Sequence, residues 1–257
     1  MFRVLDLFSG IGGFSLGLER TNGFETIAFC EIEPFCQKVL KKHWPNVPIF
    51  EDIKELNNNI EQLDYLRPID VICGGFPCQD LSYAGKGGGI HAERSGLWWE
   101  MVKTIGLLRP KYVIIENVAA ILGRGFSDVL ISLAKERYNV EWEIIRAQDF
   151  GLLHERERLF AIAYLMRERS NTFIFQERID NEKFREKWND SNVSSIYIED
   201  FKRAYPIYRE FLREGNGVST RLDETKRRVK ALGNSIVPQC TEFIGNLILE
   251  YEKENNI

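Results

Sequence analysis

The segment Val71-Ile72-Cys73-Gly74-Gly75-Phe76-Pro77-Cys78-Gln79-Asp80-Leu81-Ser82 begins apolar, breaks at two glycines and presents a cysteine behind a proline. That layout suits the carboxyl end of a buried parallel strand, where α/β proteins place their chemistry. Cys78 is therefore a candidate nucleophile, because a thiolate attacks electrophilic carbon well. The alternative for a lone cysteine is a small buried hydrophobe. Glu116 closes the β-branched and aromatic run Tyr112-Val113-Ile114-Ile115. A carboxylate at the tip of such a strand is poorly solvated, so its pKa rises and it can serve as an acid near neutral pH. A helix cap or an ion pair is the other reading. In Leu153-His154-Glu155-Arg156-Glu157-Arg158-Leu159, alternation sets Arg156 and Arg158 on one side of an extended segment. They can clamp a polar ligand there, or form two surface ion pairs. His154 is assigned no proton-transfer step.

A second group of residues suits a cofactor. Ser9-Gly10-Ile11-Gly12-Gly13 makes a tight turn between an apolar run and a helix-like stretch. Glycines let the backbone approach a ligand, and the helix start offers free N–H groups. The pattern is Gly-x-Gly-Gly rather than the spaced dinucleotide fingerprint. The next apolar run ends at Glu31, about twenty residues on, where an acid accepts hydrogen bonds from ribose hydroxyls. The pair points to an adenosine-containing ligand.

These residues need elements to hold them. Residues 2–8 read as a buried strand with only Arg3 and Asp6 polar. Phe14 to Arg20 reads as a helix, Thr26 to Cys30 as a strand, and Pro34 to His43 as a helix with proline in its first turn. Ile49 to Ile53 reads as a short edge strand with Asp52 at its end, and Val71 to Cys73 as the strand before Cys78. Leu81 to His91 is glycine-rich and without period, a loop. Leu97 to Leu108 has helical spacing and stops before Pro110. Tyr112 to Ile115 is a strand, Ser127 to Arg137 a helix, and Val140 to Ala147 and Leu159 to Leu165 the last strands. The alternation predicts an α/β fold: a doubly wound, mostly parallel sheet with helices on both faces. Three parts are expected: a catalytic, cofactor-binding domain over 1–166, a small irregular unit over 167–223, and a segment over 224–257 returning to the first domain. Pro238 to Tyr251 is an amphipathic helix with Phe243, Leu247 and Tyr251 at spacing four.

At 257 residues the chain can bury a large core. No apolar run approaches the ~20 residues that cross a bilayer. The start lacks the layout of a signal peptide, so a cytoplasmic setting is expected. The cysteines at 30, 36, 73, 78 and 240 form no Cys-x-x-Cys pair, which argues against a disulfide framework or a zinc cluster. No metal is expected. A net charge of −4 argues against a generic nucleic-acid coat. It leaves room for a local basic cleft, since Lys202, Arg203, Arg209, Arg213, Arg221, Lys226, Arg227, Arg228 and Lys230 crowd one region.

Five segments recur together in one family. Asp6-Leu7-Phe8-Ser9-Gly10-Ile11-Gly12-Gly13-Phe14, Gly75-Phe76-Pro77-Cys78-Gln79, Glu116-Asn117-Val118, Arg156-Glu157-Arg158 and Gly233-Asn234-Ser235-Ile236-Val237-Pro238 occur in that order. The chain closely resembles the cytosine-C5 DNA methyltransferases, particularly the compact bacterial and phage forms, over roughly residues 2–165 and 229–251. The resemblance implies a Rossmann-like fold and S-adenosylmethionine as cofactor. It places Phe8 and Ile32 on the adenine, Gly10, Ile11, Gly12 and Gly13 near the methionine end, and Glu31 on the ribose. Asp52 and Ile53 fall at the adenine edge, and Asn234, Ser235 and Ile236 complete the pocket.

For the reaction it implies Cys78 addition to C6 of a cytosine flipped out of double-stranded DNA, with Glu116 acting at N3. Arg158 falls on O2, Arg156 supports the cysteine loop, and Asn117 fixes the backbone around Pro77. Gln79, Ser82, Arg94 and Leu97 match positions on a loop over 80–96 that would close on the base. Residues 167–223 occupy the place of the target-recognition region, where Tyr205, Tyr208, Arg203, Arg209, Arg213 and Arg221 can face DNA. The family's setting suggests a monomer in a bacterial cell or phage-infected host, with a cognate restriction endonuclease as a partner. Two departures stand out: His154 replaces the usual Gln, and Glu224 to Lys230 follows the family pattern only loosely. The alternatives are a tRNA cytosine-C5 methyltransferase, whose Cys-Phe-Thr tripeptide is absent here, and a non-catalytic S-adenosylmethionine-dependent DNA binder.

Overall fold

The computed structural model describes residues 1–77, 96–150, 156–165, 174–175, 231 and 235–255. The strands are β1 (Phe2–Leu7), β2 (Phe24–Cys30), β3 (Ile49–Phe50), β4 (Val71–Gly74), β5 (Tyr112–Val118), β6 (Tyr138–Arg146) and β7 (Glu157–Leu165). They form one sheet in the order β3-β2-β1-β4-β5-β7-β6. The ladders from β3 through β5 are parallel, and β7 runs antiparallel to both β5 and β6. The helices are α1 (Gly13–Arg20), α2 (Pro34–His43), α3 (Ile53–Asn59), α4 (Leu97–Leu108), α5 (Phe126–Lys135) and α6 (Pro238–Glu254).

The central strands read as unbroken apolar runs because both faces of the sheet are covered. Period-two alternation sorts their side chains. Leu5, Leu7, Ile72, Val113, Ile115, Leu159 and Ala161 join one core with Trp98, Met101 and Ile105 of α4 and Val129 and Leu133 of α5. Val4, Val71, Cys73, Tyr112, Ile114, Phe160 and Ile162 join the other with Phe14 and Leu18 of α1 and Ile244, Leu247 and Ile248 of α6. The expected stripe Phe243, Leu247 and Tyr251 is buried. Glu252 clamps the end of α6 to the sheet, accepting hydrogen bonds from Lys111 Nζ and Tyr112 Oη.

One expected element is corrected. The edge strand stops at Phe50, and Asp52 caps a helix instead of ending a strand: its Oδ1 accepts the Lys54 amide at 2.7 Å. An acid with Glu three residues later, Asp52 and Glu55, is the helix-start spacing that marks this turn. The helix is followed by a 3-10 turn over Ile60–Leu66.

β2 and β3 lie on one side of β1, and β4 and β5 on the other. The order therefore reverses between β1 and β4, and ligands bind beyond the carboxyl ends of strands at such a reversal. The turn after β1 and the segment after β4 both open there. Because β7 runs the other way, its first residues lie at that same edge. Among the described residues, no helix is long and apolar enough to cross a membrane.

Candidate active site

β1 ends in a turn with unusual backbone. Phe8 has φ of 54° and Gly10 of 55°, the left-handed region that favours glycine. Ser9 Oγ donates to Asp6 O at 2.6 Å, and the Gly12 amide donates to Ser9 O at 2.9 Å. A Cβ added to Gly10 would meet nothing within 4 Å, so open space adjoins the turn. Gly13 is the opposite case: its Cβ would lie 2.4 Å from Ile236 O. That close approach lets the chain before α6 press against the start of α1, where Thr241 Oγ1 donates to Gly13 O at 3.2 Å.

Glu31 follows β2 and is almost fully buried. Its Oε2 accepts the Gly10 amide and its Oε1 the Glu33 amide, each at 2.7 Å. A carboxylate has about four acceptor sites, so it can take these amides and still accept hydroxyl donors. Ile32 beside it is 71% exposed, an apolar side chain without cover. Asp52 caps α3, and Ile53 points its side chain into the core. The open turn, the buried carboxylate and the uncovered Ile32 fit a ribose and an adenine ring.

Glu116 and Arg158 meet across the β5–β7 ladder. Val118 pairs with Arg158 and Glu116 with Phe160, so Glu116 and Arg158 are diagonal neighbours on one face. Arg158 Nε lies 3.0 Å from Glu116 Oε1. Burial pushes the Glu116 carboxyl above the usual carboxylate range, with Arg158 and then Arg156 opposing. Burial also lowers the Arg156 pKa, helped by the nearby Arg158 charge and opposed by Glu116. Gly75 stands at this carboxyl: a Cβ there would lie 2.8 Å from Glu116 Oε2 and 3.7 Å from Ile236 Cδ1. Asn117 Nδ2 donates to Phe76 O at 3.4 Å, one residue before the half-buried Pro77. Phe76 packs on Trp98, ring centroids 5.1 Å apart, and Ser235 Oγ donates to Ile236 O at 3.1 Å.

The structure thus gathers the Gly10–Gly13 turn, Glu31, Gly75, Glu116, Arg158 and Ile236 around the sheet reversal. Cys78, Gln79, Ser82, Arg94, His154 and Asn234 lie outside the described residues, as do Tyr205, Tyr208, Arg203, Arg209, Arg213 and Arg221. Cys30, Cys36, Cys73 and Cys240 are buried and in no disulfide. Burial, with help from Glu31, pushes Cys30 up to about 12. Burial, with help from Glu116, does the same to Cys240. Burial beside Asp6 raises Cys73 well above its ordinary value. These three stay protonated near neutral pH, so none offers a thiolate.

One further acid, Asp6, lies buried beside this edge. Asp6 is fully buried in β1 and accepts Ser15 Oγ at 2.7 Å, while its strand neighbour Cys73 hydrogen-bonds to it. Burial raises its carboxyl from an ordinary 3.8 to about 7. The available signal was an acid inside an apolar strand directly before the glycine turn. Among the described residues, no group of three or more His, Cys, Asp or Glu is placed to hold a metal.

A Rossmann-like α/β sheet with a glycine turn, a carboxylate after the second strand and a buried acid at the reversal defines the cofactor-dependent methyltransferase class of fold. The sequence matches the C-5 cytosine-specific DNA methylase family over residues 2–210. It is 30% identical over 259 residues to the type II methyltransferase M1.ScrFI of Lactococcus lactis subsp. cremoris, covering 99% of this chain and 63% of that one. To the type II methyltransferase M2.BsuMI of Bacillus subtilis (strain 168) it is 36% identical over 183 residues, covering 68% of this chain and 45% of that one. A solved DNA modification methyltransferase encoded within an E. coli prophage superposes with a TM-score of 0.55 at 28% identity, over 64% of this chain and 47% of that one. The chain belongs to the C-5 cytosine-specific DNA methylase family. It spans 63% and 45% of the lengths of these two curated relatives.

Proposed function

We propose that this chain is a DNA cytosine-C5 methyltransferase that uses S-adenosylmethionine and attacks its base through Cys78. The observation that carries the reading is the Glu116 carboxyl, buried at the carboxyl edge of the sheet against Arg158 and beside Gly75, three residues before Cys78. Bound S-adenosylmethionine would supply an electrophilic methyl group. The Gly10–Gly13 turn, Phe8, Glu31, Ile32, Asp52, Ile53, Asn234, Ser235 and Ile236 are the residues to hold it.

Cytosine C5 is too weak a nucleophile to be methylated unaided. Addition of the Cys78 thiolate to C6 pushes electron density to C5, and Glu116 donates a proton or a hydrogen bond to N3 as that density develops. Once C5 is methylated, loss of its proton and expulsion of the thiolate restore the aromatic ring. Covalent attachment divides one difficult step into easier ones. Arg158 can pass from Glu116 to the ring oxygen O2, and Arg156 backs the cysteine loop. A cysteine cannot reach C6 inside a stacked duplex, so the base must be turned out, which costs a few kcal/mol. Residues 167–223 are the candidates to read the target, phosphate contacts positioning the duplex and base edges specifying sequence. The type II names of the relatives support a restriction–modification setting with a cognate endonuclease. The family's DNA description and the missing Cys-Phe-Thr tripeptide favour DNA over tRNA.

The test is denaturing-gel trapping with duplex DNA containing 5-fluorocytosine, beside the matching RNA. Wild type with cofactor should form a stable adduct with DNA, and Cys78→Ser should form none while still binding S-adenosylmethionine. Trapping by RNA alone, or undiminished methyl transfer by Cys78→Ser, would overturn the reading.

A further inference from the structure

The carboxylate of Glu141 in β6 holds two consecutive backbone amides. Its Oε1 accepts the Ile174 amide at 2.9 Å and its Oε2 the Phe175 amide at 2.8 Å. The Tyr164 hydroxyl also donates to Oε1, at 2.9 Å. Glu141 pairs with Ile162 across the β6–β7 ladder, so it stands on the sheet face that Ile162, Tyr164 and Arg158 share. Ile174 and Phe175 are buried in the core of that face. Tyr164 in turn packs on Tyr251 of α6, ring centroids 6.0 Å apart.

These three donors to the carboxylate are neutral and directional, two of them from one stretch of main chain. A carboxylate accepting adjacent amides fixes a segment's position and orientation, where a lone ion pair would fix only a distance. Ile174 follows the end of β7 at Leu165 by nine residues and lies inside the region 167–223. Along β7, Arg158 and Tyr164 are six residues apart, about 20 Å of strand. Glu141 of β6 is thus joined through Tyr164 to β7, the strand whose first residues include Arg158, so the anchor and the acid–arginine pair sit on neighbouring strands of one sheet.

We propose that Glu141 is a positioning residue for DNA recognition: it pins the root of the recognition region to β6, hydrogen-bonded along its length to the strand that carries Arg158, setting the register between target reading and the catalytic pocket. This rests on the reading of 167–223 as the recognition region of a DNA methyltransferase. The anchor acts before chemistry, so its loss should appear in DNA affinity rather than in cofactor binding or in turnover at saturating DNA.

The experiment compares full-length wild type with Glu141→Ala and Glu141→Gln, the latter keeping one acceptor and the side-chain shape. Hydrogen–deuterium exchange on the peptide spanning Ile174 and Phe175 should rise at least 10-fold in Glu141→Ala and less in Glu141→Gln. In steady-state methyl transfer, KM for duplex DNA should rise 10- to 100-fold in Glu141→Ala, the scale of losing charge-assisted bonds. kcat and S-adenosylmethionine affinity should stay within twofold. Unchanged exchange at 174–175 would overturn the anchor. Increased exchange with unchanged KM for DNA, or a fall in kcat and cofactor affinity alone, would overturn the recognition role. Because exchange needs no turnover, a wild type that methylates no DNA would remove the functional reading separately, while the exchange data still judge the anchor.

Discussion

Arg158 Nε sits 3.0 Å from Glu116 Oε1, joining the start of the reversed strand β7 to the carboxyl end of the parallel strand β5. A buried acid is thereby held beside a fixed cation at the edge where the sheet order reverses. Burial favours the protonated acid and the arginine favours the ionised one, burial being the larger influence. A group so balanced can give up or take a proton as charge develops in a substrate.

Glu116→Gln should therefore lower the methyl-transfer rate about 10²- to 10⁴-fold, the usual worth of a positioned acid. S-adenosylmethionine affinity should change by no more than a few-fold. Single-turnover kinetics with a cofactor titration separates the two, and equal losses in both would contradict an acid's role at this carboxyl.

Asp6 should leave a mark on stability against pH. Its folded carboxyl titrates at about 7 against an ordinary 3.8, so between those values the folded chain binds more proton than the unfolded one. Its favourable contribution is complete below the lower value and is lost as pH rises through about 7. The shift corresponds to something on the order of 4 kcal/mol. Denaturant unfolding of Asp6→Asn should show that slope removed between pH 4 and 7, with the variant gaining on wild type as pH rises. A parallel curve for the two proteins would show that Asp6 is not the titrating group.

Gly13→Ala should both destabilise the chain and weaken cofactor binding. The added methyl carbon would lie 2.4 Å from Ile236 O, a backbone atom that cannot rotate away. Overpacking of this kind costs about 1–3 kcal/mol. Thermal unfolding and a cofactor titration should move together. A Tm loss with unchanged affinity would uncouple the turn from the chain before α6.

Glu252→Ala offers the contrasting result. It removes the shared partner of Lys111 and Tyr112 and should cost about 3 kcal/mol, as when one member of a buried pair is deleted. Tyr112 opens β5 whereas Glu116 lies near its far end, so kcat below the melting transition should stay within about twofold, well short of the tenfold that 1.4 kcal/mol represents. A large loss of turnover at low temperature would show that α6 docking reaches the site.

Residue type and period carry local facts, and these were legible in the chain. Apolar runs announced strands buried on both faces, Pro34 and Pro110 marked a helix start and a helix stop, and the motifs around Gly10, Cys78 and Glu116 named the family. The α3 turn is written in Asp52 and Glu55, but the adjoining apolar residues suit a strand equally well.

Pairings between distant segments were decided only by the tertiary structure. Nothing in sequence spacing sets Arg158 diagonal to Glu116, since that follows from β7 running antiparallel to β5. Nor does spacing set Ile236 against Gly13, bury Asp6 so completely that its carboxyl rises to about 7, or give Glu141 the amides of Ile174 and Phe175. Local pattern records which face a side chain takes. Which neighbour it meets, and how dry that meeting is, depends on strand order and helix packing that exist only once the whole chain has folded.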